Sequence, residues 1–534
     1  MNWRVIYITS IVARFYFATT NSYIHPDEHF QSLQVVSAKF LNYNCPSPWE
    51  FNLDLPARSF GPLYVFYGPI LMLLKVFGHP SPLVLWYIFR LNLTVINWLI
   101  TDYVLYKLLP IKPERLKAIF FASTSYITLV YQLHLFSNSF ETSILLLSIL
   151  IINNLRDSIE NQKQNQDKIN NSYLFALGLL IGLGIFNRIT FLVFILIPSF
   201  FIFKYVLKNW LSLFYIGFGF LSISICFILI DTWTFIGDFN HGWVLTPLNS
   251  LIYNSSIDNL SNHGLHSWYT HLLINLPMMF GPGLLLLFGY DFKNKYYKTL
   301  PFLTFLSGTL ILSIIPHQEL RFLMPLVPMA VSCFDLTRFE TDINTTDKKM
   351  EGKDGNNLRN DENTRKLSAR IVNILINLWL AFNILMSVLM GVFHQGGVIP
   401  ALDFIHQNSL GGIHIWWRTY SPPTWMLADD LNSFEYLTIN NESELYEISN
   451  IKQNLVIDTM GLNKNEFSKL LQLVSALKKP IYIITPSASF NLELKNSEFE
   501  FESIYHYNYH LDMDHLDFSN FESLRPGLDI YRLL

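Results

Sequence analysis

The chain has 534 residues, 51% of them hydrophobic and 15% charged, against about 25% charged in a soluble globular chain, and the deficit ends near residue 395, so a soluble fold is excluded for everything before it. A net charge of −4 gives no basic balance for nucleic acid. Of the three cysteines, Cys226 and Cys333 lie in or beside apolar runs and leave Cys45 alone in a polar loop, which argues against an intrachain disulfide framework.

The first apolar run, 4–20, contains Arg14 and no small-residue cleavage site follows it, so it reads as a retained signal-anchor helix. A membrane helix needs about 20 mostly apolar residues. Further runs of that kind fall at 83–107, 118–135, 139–155, 173–187, 189–207, 210–231, 270–289, 299–316, 320–338 and 370–393, for eleven spans in all. The run 62–77 begins Gly61-Pro62 and contains Gly68-Pro69, and it is placed as a surface helix in the first loop.

Basic residues gather in alternate loops: Lys107 to Lys117, Arg156 to Lys168, Lys204 and Lys208, Lys293 to Lys298, and Lys348 to Lys366. The positive-inside rule puts these in the cytosol. The lumenal side then collects 21–82, the turns near 134–139, 187–189 and 317–319, the loop 232–269, and all that follows 395. The sequons at Asn254 and Asn441 fall on that side, and the one at Asn344 does not. The cytosolic stretch 339–369 is rich in Asp, Asn, Lys and Thr without an apolar face and is predicted to be an unstructured linker, with 156–172 a shorter relative. Residues 396–534 carry short β-like runs, such as 481–484, and an amphipathic stretch near 464–477, which predicts a small α+β lumenal domain.

Four polar motifs interrupt the apolar pattern. Tyr23-Ile24-His25-Pro26-Asp27-Glu28-His29-Phe30 follows the first span, where Pro26 can open a short helix with both carboxylates in its first turn. A helix cap alone would account for that motif. His134-Leu135-Phe136-Ser137-Asn138-Ser139-Phe140-Glu141 fills a short turn; capping explains Ser137 but not Glu141 at the head of an apolar span. Asn187-Arg188-Ile189-Thr190 holds a lone arginine, for which snorkelling is the plainer account. His317-Gln318-Glu319-Leu320-Arg321-Phe322 places a histidine, a carboxylate and an arginine between two apolar runs. A charge at the bilayer centre costs roughly 2.5–3.5 kcal/mol, so such groups face a cavity or a partner, and an arginine there suits a phosphate. The loop charges put all four motifs on one face of the membrane. A general base with cations for a phosphate leaving group is equipment for group transfer from a phosphorylated lipid. Neither a Walker loop nor a dinucleotide-binding glycine pattern is present, and no cofactor is expected. The run His510, Asp512, Asp514, His515 and Asp517 resembles a metal-ligand set, but alternating acidic residues in a solvated segment are commoner and no metal is expected.

The His-Pro-Asp-Glu run after the first span, with the later His-Gln-Glu-Leu-Arg-Phe run, resembles the glycosyltransferase family 22 mannosyltransferases of the endoplasmic reticulum. Within that family, residues 22–32, 137–142 and the run Tyr420-Ser421-Pro422-Pro423-Thr424-Trp425-Met426 look most like the fungal group that adds a fourth mannose to the GPI-anchor precursor. The resemblance implies a mainly α, polytopic GT-C membrane protein, with a transmembrane catalytic region over 1–395 and a lumenal domain over 396–534. It implies dolichyl-phosphate mannose as donor, the GPI-precursor glycolipid as acceptor, and an α1,2 linkage to the third mannose. Asp27 matches the catalytic base, Glu28 is its acidic neighbour, and His317, Glu319 and Arg321 match the second motif. Arg321, then Arg188 and His317, are the candidates for the donor phosphate, with Arg188 chosen on chemistry and topology. His25, Glu319, Glu141 and Asn138 support the site. A related enzyme for another GPI or N-glycan mannose is the second reading. A transporter or a lipid-binding scaffold is a third, which the lack of paired broken helices in two halves disfavours.

Overall fold

A computed structural model describes residues 3–78, 80–161, 169–240, 242–287, 295–336, 355–428, 434–441, 444, 454–495, 497–513 and 519–534. It is mainly helical, with a six-stranded sheet near the carboxyl end. Helix α1 (Trp3–Ala18) leads through a π-turn at His29–Leu33 into α2 (Gln34–Phe40). Then come α3 (Phe60–Phe77), α4 (Pro82–Leu108), α5 (Lys112–Thr124), α6 (Ser137–Asn161), α7 (Asn171–Asn187), α8 (Leu211–Ile236), the short α9 (Thr246–Ser255), α10 (Leu300–Ile314) and α11 (Gly355–Val388). Among the described residues, four helices are long and apolar enough to cross a membrane: Pro82–Leu108, Ser137–Glu160, Leu211–Ile236 and Arg370–Phe393. The other apolar runs form shorter helices, so the eleven-span count is not reproduced by helix length.

The shortfall has a physical origin. Several runs are helices broken part-way, and side chains satisfy the backbone groups that the breaks expose. Between α5 and α6 the chain breaks into short helical turns at Tyr126–Leu129 and Tyr131–Leu133. There the Tyr126 amide donates to Asn383 Oδ1 on α11 at 2.7 Å, and Asn97 Nδ2 on α4 donates to the Gln132 carbonyl at 2.7 Å. Helix α8 is apolar all round and presents Leu213, Phe214, Phe218, Leu221 and Ile225 outward, as expected for a helix bathed in hydrocarbon. Its partner is α7, and glycines set the approach. A Cβ on Gly178 would run into the Ile216 carbonyl, and one on Gly219 into the Phe175 carbonyl. The two backbones therefore touch directly, the small-residue packing available to helices in lipid. Gly219→Leu is expected to destabilise the fold by about 1–3 kcal/mol. The thermal aggregation midpoint in detergent reads this, and an unchanged midpoint would refute the backbone contact.

Two expectations are corrected by the helices. Residues 355–369 are helical as the start of α11, where composition suggested an unstructured linker; a helix already nucleated by an apolar span extends at little cost into a polar segment. The stretch 156–172 begins as the end of α6. Residues 339–354, with Asn344, and 162–168 lie outside the described residues.

Beyond α11, α12 (Val398–Gln407) precedes strands β1 (Ile413–Trp416), β2 (Phe434–Thr438), β3 (Asn454–Asp458), β4 (Ile481–Pro486), β5 (Phe501–Tyr507) and β6 (Leu528–Leu533). Their order is β2-β3-β1-β4-β6-β5. The first four in that order run parallel, and β6 runs antiparallel to both its neighbours, β4 and β5. Strands β1 and β4 are buried along their length, as parallel strands covered on both faces must be. Helix α13 (Lys464–Ser475) starts with a capping box from Asn463 and Glu466 and buries Phe467, Leu470, Leu471 and Val474.

The segment after β1 ties this sheet to the first loop. Tyr23 Oη donates to the Ser421 carbonyl at 2.9 Å, Gln34 Nε2 to Thr424 Oγ1 at 2.9 Å, and the Trp425 indole N–H to His29 Nδ1 at 3.1 Å. The His29 ring lies between Trp86 and Trp425, with centroids 5.8 and 6.1 Å away.

Candidate active site

Pro26 starts the turn that aims Asp27 and Glu28 in different directions. Successive residues of a helical turn diverge by about 100°. Asp27 faces a cavity of about 430 Å³. Glu28 faces the core and is 1% exposed. Its Oε1 accepts the Ile24 amide at 3.0 Å, and its Oε2 is held by His134 Nδ1. Arg90 Nη2 donates to the other ring nitrogen of His134 at 2.9 Å, so the imidazole proton sits on Nδ1, toward Glu28. Arg90 is itself anchored on the carbonyls of Thr20 and Phe17. Glu28 thus locks the turn from behind and does not line the cavity.

His25, Asp27, Arg188, His317, Glu319 and Arg321 all line that one cavity, although they come from three distant stretches of chain. Arg321 Nη1 stands 2.6 Å from Asp27 Oδ2, and its Nε is paired with Glu319. His317 Nε2 bonds Glu319 Oε1 at 2.8 Å. His25 Nδ1 accepts the Asp27 amide at 3.2 Å, with Nε2 3.9 Å from Glu319. Burial pushes the Asp27 carboxyl up, but Arg321 and His25 outweigh it and hold it below the usual range. Glu319 is likewise driven well down, by Arg321 and His317 against burial. Burial opposes charge on His317, yet its bonds to Glu319 and the Gly264 carbonyl leave its pKa raised. The site therefore offers two ionised carboxylates, Asp27 and Glu319, both paired with Arg321, on a wall that also carries Arg188 and His317.

Glu141 and Asn138 are buried beneath the wall. Asn138 Nδ2 donates to Glu141 at 3.3 Å, and Arg188 Nε lies 3.6 Å from the same carboxylate. Three lining residues went unnoticed in the sequence. Gln31, one turn past Asp27, donates to Asp27 Oδ2 at 2.5 Å and to Glu50 Oε1 at 3.0 Å. Arg58 pairs with Glu50 at 3.2 Å and reaches Ser137 Oγ at 3.3 Å. The i,i+4 spacing of Asp27 and Gln31 was the available signal for the first. Arg58 and Glu50 stand in a polar loop where charge attracts no notice. In the tail, His510 Nδ1 accepts the Gly397 amide at 3.2 Å and Asp512 accepts from Gln395 at 3.2 Å, so these two serve the fold; Asp514, His515 and Asp517 lie outside the described residues.

Residues 5–429 match the model of the Alg9-like mannosyltransferase family. The chain is 47% identical to GPI mannosyltransferase 4 of Debaryomyces hansenii, covering 100% of this chain and 99% of that protein. It is 45% identical to the protein of that name in Candida albicans over 100% and 99% of the two chains. The Saccharomyces cerevisiae protein of that name is 37% identical, over 96% and 95%. Among solved structures, ArnT from Cupriavidus metallidurans bound to undecaprenyl phosphate superposes with a TM-score of 0.53 at 10% identity, covering 99% of this chain and 98% of that one, a likeness of fold.

Proposed function

The chain belongs to the Alg9-like mannosyltransferase family, within it to the GPI mannosyltransferase 4 group, and we propose that it moves mannose from dolichyl-phosphate mannose to the third mannose of the GPI-anchor precursor. The linkage formed is α1,2, and the reaction takes place at the lumenal face of the endoplasmic reticulum membrane. The observation that carries this reading is the convergence of the Asp27 carboxylate with Arg188, Arg321 and His317 on a single cavity.

A β-linked donor and an α-linked product require one displacement with inversion, hence one base. Asp27 takes the proton of the acceptor 2-hydroxyl as that oxygen attacks the anomeric carbon. The leaving lipid phosphate is a stable anion and needs positive charge, not a proton, which the wall supplies. Glu28 acts through the backbone that it holds, as a positioning residue.

Eleven passages through the bilayer fit the contacts between loops. Lys117 Nζ meets Tyr296 Oη at 2.7 Å and the Phe334 carbonyl at 2.6 Å, and Arg156 Nη1 meets the Lys298 carbonyl at 3.2 Å. Such contacts among the basic loops support their lying on one side of the membrane. Helix α3 stays with the motif turns, stacking Phe66 on Phe140 and packing Tyr67 on Phe89, which suits a lumenal surface helix.

Depleting the protein is expected to accumulate a GPI precursor with three mannoses, read by mass analysis of the glycolipids. A two-mannose lipid would transfer the chain to the preceding step, and an unchanged lipid profile would defeat the proposal.

A further inference from the structure

The cavity's cations keep different company. Arg321 is within hydrogen-bond reach of two carboxylates, Asp27 and Glu319, and His317 is bound to Glu319 as well. An anion arriving there meets two negative groups around one guanidinium. Arg58 and Arg188 are arranged otherwise. Arg58 comes from the first loop and Arg188 from the turn after α7, yet the Nη1 groups of both donate to one hydroxyl, Ser137 Oγ, at 3.3 and 3.0 Å. Each faces a single carboxylate, Glu50 at 3.2 Å and Glu141 at 3.6 Å. Both arginines line the cavity. Two guanidiniums on one hydroxyl repel. Burial, reinforced by Arg58, pushes Arg188 down to about 10. A phosphoryl oxygen placed against both would relieve that repulsion.

We propose that Arg58 and Arg188 form the seat of a substrate phosphoryl group, while Arg321 keeps Asp27 charged instead of taking the phosphate. The proposal rests on the mannosyl-transfer reading and divides its positive wall into two functions. Phe322 stands between them, its ring centre 5.1 Å from the Arg188 guanidinium and 5.5 Å from that of Arg321. A sugar held at the seat can span this ring toward Asp27. In the transfer, the bond from the anomeric carbon to the phosphate oxygen breaks and its electron pair leaves with the phosphate. The acceptor oxygen forms the new bond, and its proton passes to Asp27. The leaving phosphate gains one negative charge in that step, which the two guanidiniums meet.

The phosphoryl group can belong to the donor lipid or to a phosphodiester of the acceptor glycolipid. The full-length protein in nanodiscs separates these with Arg58→Gln and Arg58→Lys. Equilibrium binding of dolichyl phosphate and the KM of each substrate are the readouts. Arg58→Gln is expected to weaken the phosphate-bearing partner about ten- to a hundredfold. Arg58→Lys should recover part of the loss, because it keeps the charge but not the fork. Weakened dolichyl phosphate binding with a raised donor KM assigns the seat to the donor. A raised acceptor KM alone assigns it to the acceptor. Unchanged binding and unchanged KM values in both folded variants would overturn the seat. The wild type tests the mannosyl reading separately: absent transfer overturns that reading, while the binding arm still judges the seat. For Arg321 the readout is the pH profile. Arg321→Gln should move the acid limb of kcat to higher pH, since Asp27 loses the charge that keeps its pKa low. A raised donor KM with an unmoved limb would return the phosphate to Arg321.

Discussion

Asp27→Asn is expected to lower turnover about 10²- to 10⁴-fold while the protein stays folded, the loss typical of a removed general base. Asparagine is nearly isosteric, and its carbonyl can still accept from Gln31, which bonds Asp27 Oδ2 at 2.5 Å. What it cannot do is take a proton. The measurement is mannosyl transfer from dolichyl-phosphate mannose by purified variant and wild type, with thermal profiles compared. Activity within a fewfold of wild type would remove Asp27 from the mechanism. The depressed pKa adds a second signature. The wild-type rate should hold as pH falls from neutrality toward the ordinary carboxylate range near about 4, since Arg321 and His25 keep Asp27 ionised there.

The second large effect is on stability and concerns the neighbouring carboxylate. Glu28→Ala should destabilise the protein by roughly 3–5 kcal/mol, the cost of removing one partner from a buried charged network. The alanine leaves the Ile24 amide and the His134 Nδ1 proton without an acceptor, and Arg90 without a countercharge one imidazole away. Glu28→Gln should cost less, because its carbonyl can satisfy one of the two donors while its amide faces the other. Reversible SDS unfolding in mixed micelles measures both. Equal stability of Glu28→Ala and wild type would mean the network holds nothing. Activity should fall with stability in this series, which distinguishes Glu28 from Asp27.

Loop charge and motif placement were legible because they obey short-range rules. Lysines gather where a loop stays in the cytosol, and an arginine between apolar runs has to face something. Those two facts put Asp27, Arg188 and Arg321 on one face before any coordinates, and they line one cavity. The resemblance at 22–32 and 137–142 supplied the family. Three things were hidden. Glu28 stood only as the acidic neighbour of Asp27, because sequence gives adjacency and only the turn's rotation separates cavity from core. Arg58 was invisible because its partners Ser137 and Asn187 are 79 and 129 residues away. The broken helices read as full spans because hydropathy counts apolar residues and does not see the backbone carbonyl that Asn97 satisfies or the backbone N–H that Asn383 satisfies.

The bond from Trp425 to His29 joins residues 396 positions apart. During synthesis the Asp27 turn therefore waits, its rear wall unbuilt, until most of the chain has been threaded into the membrane. The nascent enzyme cannot be competent early. Completion of the centre becomes a report that the whole polypeptide has arrived, and a truncated product stopping before residue 425 would lack that wall.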